Sequence, residues 1–295
     1  MISVIVPFHN EKENLPALLE RLNKVLGGLK EKSEIILVDD GSTDEYAVDA
    51  KVVVHRKQLG KGRALETGLA NSKGDVIVFM DADLQDSPEE IPLFLEEIEK
   101  GSDLVNGWRK KRIDPISKTL PSSIFNAILL KPLLHSTFHD INCGFKAMRR
   151  EVLEEIPLYG DNYRFLPILA HQRGFKTSEV VVTHSPRLKG KSKYGVKRIM
   201  YGLFDTVTTY FVFKFSEKPL HFFGPIGGVA FILGSIITLE LTIERLFYGV
   251  ELYKRPLLLA GIFLIIIGLQ VILTGVLAEL IVFLHKSKYQ NSNIK

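Results

Sequence analysis

The chain has 295 residues, a formal net charge of +4 and 46% hydrophobic residues, with a positive mean hydropathy of +0.12. It is long enough for one α/β domain of ordinary size plus something smaller, too apolar for a purely soluble protein and too charged for a membrane channel. Cys143 is the single cysteine, which excludes an internal disulfide framework and fits a small buried residue.

The N-terminus, MISVIVPFHNEKE, goes straight into a strand, with no basic segment leading into an apolar signal core. The N-terminal part is therefore expected to stay in the cytoplasm. After the strand ISVIVPF, Leu15, Leu18, Leu19, Leu22, Val25, Leu26 and Leu29 recur at three-and-four spacing and predict a helix. EIILVDDGSTD follows as a strand, then VVVHR as another, GRALETGLANS as a helix and DVIVFMDAD as a strand. The next helix lies over PEEIPLFLEEIEKG, opened by Ser87 as a cap and Pro88 in its first turn. Repeated strand-helix-strand crossovers imply a mostly parallel sheet, whose ligands gather beyond the carboxyl ends of the strands.

Three polar clusters end predicted strands: HNE before Lys12, DDGSTD over Asp39 to Asp44, and DADLQ over Asp81 to Gln85. All three are thereby expected on one rim. If the chain stays extended through DADLQ, residues two apart share a face, so Asp81, Asp83 and Gln85 point the same way. Paired carboxylates repel unless a cation lies between them. Mg2+ or Mn2+ suits the place, because such ions take one or two carboxylates and complete their shell with water and substrate phosphates. Lys61 and Gly62, opening a helix, suit the approach of an anionic diphosphate to free backbone N–H groups.

The last third is almost free of charge over FFGPIGGVAFILGSIITL and over PLLLAGIFLIIIGLQVILTGVLAELIVFL. A hydrocarbon core takes about 20 apolar residues in a helix, so both read as membrane spans. PRLKGKSKYGVKR before them carries Arg187, Lys189, Lys191, Lys193, Lys197 and Arg198 without an acid, and the tail HKSKYQNSNIK is also basic. The positive-inside rule then puts both flanks in the cytoplasm and the connection LFYGVELYKR outside. Between basic loop and first span, VKRIMYGLFDTVTTYFVFKFSEKP mixes aromatic and basic residues, as interfacial helices do. Glu240, Glu244, Gln270 and Glu279 are costly in such spans unless they face another helix or water, which favours self-association.

IVPFHNE, VDDGSTD, GKGRALETGL, DADLQDSPE, DINCGFKAMRR and RLKGKSKYG, in that order and followed by two spans, resemble the family 2 glycosyltransferases that charge polyprenyl phosphate. That group includes dolichyl-phosphate mannose and glucose synthases and bactoprenol glucosyltransferases. The resemblance implies an α/β GT-A fold, Rossmann-like, over residues 1–195, interfacial helices over 196–219 and a two-span domain over 220–295. It implies a nucleotide-sugar donor held by Pro7, Asn10, Glu11 and Asp39, the last on the base, and by Lys61, Gly62, Asp81 and Asp83. Asp81, Asp83 and Gln85 match the metal and diphosphate ligands. Asn10 and Glu11 also fit a plain helix cap.

On the acceptor side, Arg109, Arg112, Lys118 and Ser122 fall in a stretch similar to one that binds the lipid phosphate. Lys118 stands where the family has an arginine, and a lysine meets phosphate as a point charge rather than a fork. Asp140 and Asn142 match an acidic position near the reacting centre, or shape a turn. Arg164 and Arg187 are further anion contacts. Arg187 opens R-x-x-G-x-S-K-Y, which includes Ser192, Lys193 and Tyr194 beside the bilayer. Asp83, Asp140 and Arg187 are the candidate catalytic residues, and Trp108 is a packing residue or a sugar platform.

A lipid phosphate, largely dianionic at neutral pH, is already a nucleophile and needs no general base. The expected activity is inverting transfer of a hexose, with UDP-glucose favoured, to dolichyl or undecaprenyl phosphate. A processive polysaccharide synthase is the alternative, but those carry Q-x-x-R-W. Here the sole tryptophan is Trp108, and Gln172 is followed by Arg173 and Gly174. A non-catalytic membrane scaffold would be expected to lose the carboxylates and basic acceptor residues that this chain keeps.

Overall fold

The computed structural model describes residues 1–110, 138–185, 218–249 and 256–292, together with Thr208, Phe211 and Phe215. The chain divides into two compact units, Met1–Thr209 and Tyr210–Lys295.

The first unit is built on strands β1 (Ile2–Phe8), β2 (Ser33–Asp39), β3 (Lys51–Val54), β4 (Val76–Phe79), β5 (Leu104–Trp108), β6 (Lys146–Arg149) and β7 (Thr177–Val181). Among the described residues they form one sheet in the order β3-β2-β1-β4-β6-β5-β7. All neighbours are parallel except β6, which runs antiparallel to both β4 and β5. Every residue of β1 is buried, the continuous apolar run expected of a strand covered on both faces.

Helices α1 (Leu15–Gly27), α2 (Lys61–Ala70), α3 (Ile91–Glu99), α4 (Arg150–Glu155) and α5 (Leu166–Gln172) complete the unit. Helix α1 buries Leu15, Leu18, Leu19, Leu22 and Leu26, as their spacing predicts, and takes a proline in its first turn. Gly68 of α2 lies so close to the Ile5 side chain of β1 that a Cβ there would clash. The Ser87-Pro88 start opens a short 3-10 turn, Pro88–Glu90, that leads into α3.

Parallel pairing sets the rim. Phe8 is in register with Asp39 and Asp39 with Val54, while Ile5 is in register with Phe79. The ends of β1, β2 and β4 therefore open side by side. One sequence expectation fails there: the chain does not stay extended through DADLQ. Strand β4 ends at Phe79 and the backbone turns, with Leu84 at φ 59. Ala82 and Leu84 on this turn are buried and join the apolar core.

The second unit contains α6 (Leu220–Tyr248) and α7 (Pro256–Ser292). Both helices are long and apolar enough to cross a membrane and are candidate membrane spans. They meet on glycines: a Cβ at Gly227 would lie 2.6 Å from the Gly268 carbonyl oxygen, and one at Gly234 equally close to that of Gly261. Small residues at such crossings let two backbones approach in an apolar medium, where packing rather than water exclusion drives association. Glu279 is spent within the pair, its Oε2 accepting the Leu220 N–H at 3.1 Å, an N-terminal position where a carboxylate also suits the helix dipole. Phe211, Phe215, Phe222 and Phe223 cluster at the same helix start.

Candidate active site

Asp39 ends β2, Asp40 follows it, and both are buried. Asp39 accepts the Ser42 N–H at 2.8 Å and the Tyr46 hydroxyl at 2.8 Å. Asn10, at φ 54, accepts the Thr43 N–H at 2.7 Å and donates its own N–H to Ser42 Oγ at 2.9 Å. It thus ties the first cluster to the second instead of capping α1, which starts at Leu15. Glu11 accepts the Asn14 side-chain amide at 2.6 Å. Pro7 lies buried in β1 opposite Val38.

The third cluster meets α2. The Lys61 ammonium donates to Asp81 Oδ1 in a very short contact, with 22% and 36% of the two side chains exposed. Burial alone would lower the Lys61 pKa, but the Asp81 charge outweighs it and raises it. Burial likewise opposes ionisation of Asp81, and Lys61 reverses this, holding the carboxyl below its ordinary range. Tyr163 lies beneath, its ring centre 5.1 Å from the ammonium, and Arg164 donates to its hydroxyl at 3.2 Å. Gly62 has a packing reason as well, since its Cβ would strike the Gly160 carbonyl.

Asp83 Oδ1 accepts the Gln85 N–H at 3.2 Å. Gln85 Nε2 lies 3.5 Å from both His184 Nε2 and the Ser185 carbonyl, and the Gln85 carbonyl accepts the Ser185 N–H at 2.9 Å. Sequence reasoning does not single out His184, which lies three residues beyond the end of β7 and is carried to this rim by the parallel β5–β7 pairing. It also passed over Asp86, whose carboxyl burial and the neighbouring Asp81 charge push up to about 7.

The residues fit a divalent cation. Asp81 already holds a cation, the Lys61 ammonium, and Gly144 leaves the space: a Cβ there would lie 2.6 Å from Asp81 Oδ2 and 3.0 Å from Lys61 Nζ. No group of three or more His, Cys, Asp or Glu side chains placed to enclose a metal occurs among the described residues. An ion held by Asp81, Asp83 and Gln85 would therefore draw the rest of its shell from substrate oxygens and water, as Mg2+ and Mn2+ commonly do.

A second corner forms where β5, β6 and β7 meet. Arg109 forks onto Asp140 through Nε at 2.7 Å and Nη2 at 3.2 Å. Glu179 Oε1 accepts the His139 N–H at 3.1 Å and the Asn106 side-chain amide at 3.2 Å. The same Asn106 amide donates to the Asp140 carbonyl at 2.9 Å. Beneath it, Lys146, 1% exposed, donates to Asn106 Oδ1 at 2.5 Å and to the Ile141 carbonyl at 3.1 Å. Burial pushes this ammonium down to about 8 and the Cys143 thiol up to about 12. Trp108 stacks on His139 with ring centres 4.0 Å apart. The structure thus brings the donor candidates and Arg109 and Asp140 to one end of the sheet. Arg112, Lys118, Ser122, Arg187 and Ser192 lie outside the described residues.

Sheet order, the carboxylate-bearing rim and the crossover helices define a GT-A domain. A crystal structure of glucosyl-3-phosphoglycerate synthase from Mycobacterium tuberculosis, with Mn2+, uridine diphosphate and glucosyl-3-phosphoglycerate, matches this fold with a TM-score of 0.55. The match has 24% identity and covers 71% of this chain and 79% of that one. The model of glycosyl transferase family 2 matches residues 3–157, and the chain belongs to that family. It is 33% identical to a dodecaprenyl-phosphate galacturonate synthase of Rhizobium johnstonii, over 95% of this chain and 87% of the relative. It is 32% identical to an undecaprenyl-phosphate 4-deoxy-4-formamido-L-arabinose transferase of Photorhabdus laumondii, over 95% and 88%.

Proposed function

We propose that this glycosyltransferase moves a sugar from a nucleoside diphosphate to the phosphate of a membrane polyprenol. The observation that carries the reading is full-length similarity to two enzymes named for polyprenyl-phosphate substrates, in a chain whose donor rim is intact and which ends in two candidate spans. The relatives' names favour an undecaprenyl-type carrier over dolichyl. They also widen the sugar beyond glucose, because galacturonate and 4-deoxy-4-formamido-L-arabinose are the sugars in those names. UDP-glucose stays the reference donor.

In this reading Asp39 faces the base, Lys61 meets the diphosphate, and Asp81, Asp83 and Gln85 hold the cation. A bound divalent ion would neutralise the charge that grows on the departing nucleoside diphosphate. Arg109, with Lys118, Ser122, Arg187 and Ser192, holds the acceptor phosphate in line with the anomeric carbon. Asp140 orients Arg109. The acceptor oxygen attacks directly, the glycosidic oxygen leaves with the nucleoside diphosphate, and the anomeric carbon inverts; proximity and charge neutralisation provide the catalysis. Residues 1–195 are the catalytic domain, 196–219 an interfacial segment and 220–295 the membrane anchor, with both termini cytoplasmic.

Screening UDP- and GDP-linked hexoses, uronic acids and aminopentoses against undecaprenyl phosphate in detergent tests the activity. Transfer from one donor class is expected; sugar transfer only to a growing glycan would favour a processive synthase. Cysteine labelling of a Cys143→Ala chain carrying a new cysteine at Glu251 tests orientation, because only the loop should react from outside intact cells.

A further inference from the structure

We propose that Asp40, which no functional role yet covers, is a positioning residue of the donor site, fixing from the end of β2 the turn that delivers Lys61 to Asp81. This rests on the donor reading above.

Its carboxylate is 6% exposed and accepts from two consecutive backbone groups, Leu59 N–H at 2.8 Å on Oδ1 and Gly60 N–H at 2.9 Å on Oδ2. His55 Nδ1 lies 2.9 Å from Oδ1, and its other nitrogen lies 3.0 Å from Thr67 Oγ1, on α2. Asp40 therefore holds α2 twice, through the two residues that lead into it and through a histidine bridge to its second turn. Gly60 is the residue just before α2, at φ 97, and Lys61 is its first residue. Asp40 is itself anchored, since its N–H donates to the Phe8 carbonyl at 2.8 Å.

An independent feature joins the same two loops. Gly41 has φ +70, and a Cβ there would lie 2.5 Å from the Lys57 carbonyl carbon and 2.6 Å from the Gln58 nitrogen. The turn after Asp40 thus packs directly on the backbone that precedes Leu59. Only a carboxylate meets the local demand, because two N–H donors reach its two oxygens. An asparagine offers one oxygen, and turns its NH2 toward a donor whichever way it flips. The nearby Asp39 does a different job, facing Ser42 and Tyr46. Adjacent aspartates at the end of β2 thereby divide the work, one toward the base loop and one toward the diphosphate loop.

The test uses the full chain in detergent, with UDP and GDP, each with Mn2+, as calorimetric probes. Asp40→Asn should weaken binding of the preferred nucleotide about tenfold, the scale of one lost charge-assisted hydrogen bond, and raise the nucleotide-sugar KM without changing that for lipid phosphate. In a Lys61→Met background the same substitution should change nucleotide binding by less than about twofold, because both act through one ammonium. Gly60→Ala supplies a second probe that leaves the buried carboxylate intact. A Cβ there meets nothing within 4 Å, so it perturbs the turn through φ alone and should reproduce the nucleotide defect. Additive losses in the double variant, or unchanged nucleotide binding in both Asp40→Asn and Gly60→Ala, would overturn the assignment. Failure of the unmodified chain to bind either nucleotide would overturn the donor reading itself.

Discussion

Two cation-carboxylate pairs at the rim of the first unit are built in opposite ways. Lys61 meets Asp81 through one ammonium, at a place where both side chains reach solvent. Arg109 forks onto Asp140 with 15% and 5% of the two side chains exposed; Asn106 and Glu179 brace the aspartate's backbone from behind, and Lys146 holds the next carbonyl, that of Ile141. A lysine is a point charge on a flexible stem, and a guanidinium fork is fixed in plane. The first pair can exchange partners when a diphosphate and its cation arrive, whereas the second holds one geometry. On the proposed reaction the donor site is thus electrostatically mobile and the acceptor corner rigid.

The widest expected effect lies on the donor side. Asp83→Asn should lower transfer on the order of a thousandfold, because a metal contributes several kcal/mol to such a transition state. Excess chelator should do the same to the unmodified chain in a steady-state transfer assay. Full turnover under chelation would remove the cation from the comparison and leave Lys61 as the sole counter-charge.

The rigid corner predicts a pH signature. The folded pKa of Lys146, about 8, lies below its ordinary 10.5, so between those values the unfolded chain binds more protons and stability rises with pH. The charged-burial penalty is fully present below about pH 8 and is gone above about pH 10.5. Relative to Lys146→Met, the unmodified chain should therefore gain up to about 3 kcal/mol across that window. Denaturant titration of both proteins near the two ends measures it, and a constant difference would mean that Lys146 carries no such penalty.

Arg109→Lys sharpens the same contrast with a smaller effect. It keeps the charge but loses the fork, and the loss of a charge-assisted contact costs roughly 1.5–3 kcal/mol. Transfer should fall about tenfold to a hundredfold, with nucleotide affinity unchanged by calorimetry. A parallel fall in nucleotide affinity would place Arg109 on the donor side.

The difference between the two pairs also marks what the sequence discloses. Candidate donor residues sit at strand ends in dense polar clusters, so HNE, DDGSTD and DADLQ point to a common rim from the sequence alone. The two apolar helices were legible for the same local reason. The acceptor corner is assembled by strands distant in sequence: β6 enters between β4 and β5 against the parallel trend, and that insertion brings Lys146 under Asn106. Neither KAMRR nor LVNGW carries a local sign of it. Asp40 is hidden differently, in full view beside Asp39, because only the fold shows that its carboxylate takes the Leu59 and Gly60 N–H groups. The turn at Leu84 is not legible, because strand alternation carries no mark of where pairing ends, here at Phe79.

One measurement bears most directly on the reaction. The full chain, in vesicles containing undecaprenyl phosphate, is given the UDP-sugar selected by the screen, labelled in the sugar, with Mn2+, and the lipid product is analysed by NMR. The account predicts a single sugar joined to the lipid phosphate, with anomeric configuration opposite to that of the donor and with Mn2+ required. A product of retained configuration, a polymer, or label released only as free sugar would contradict it.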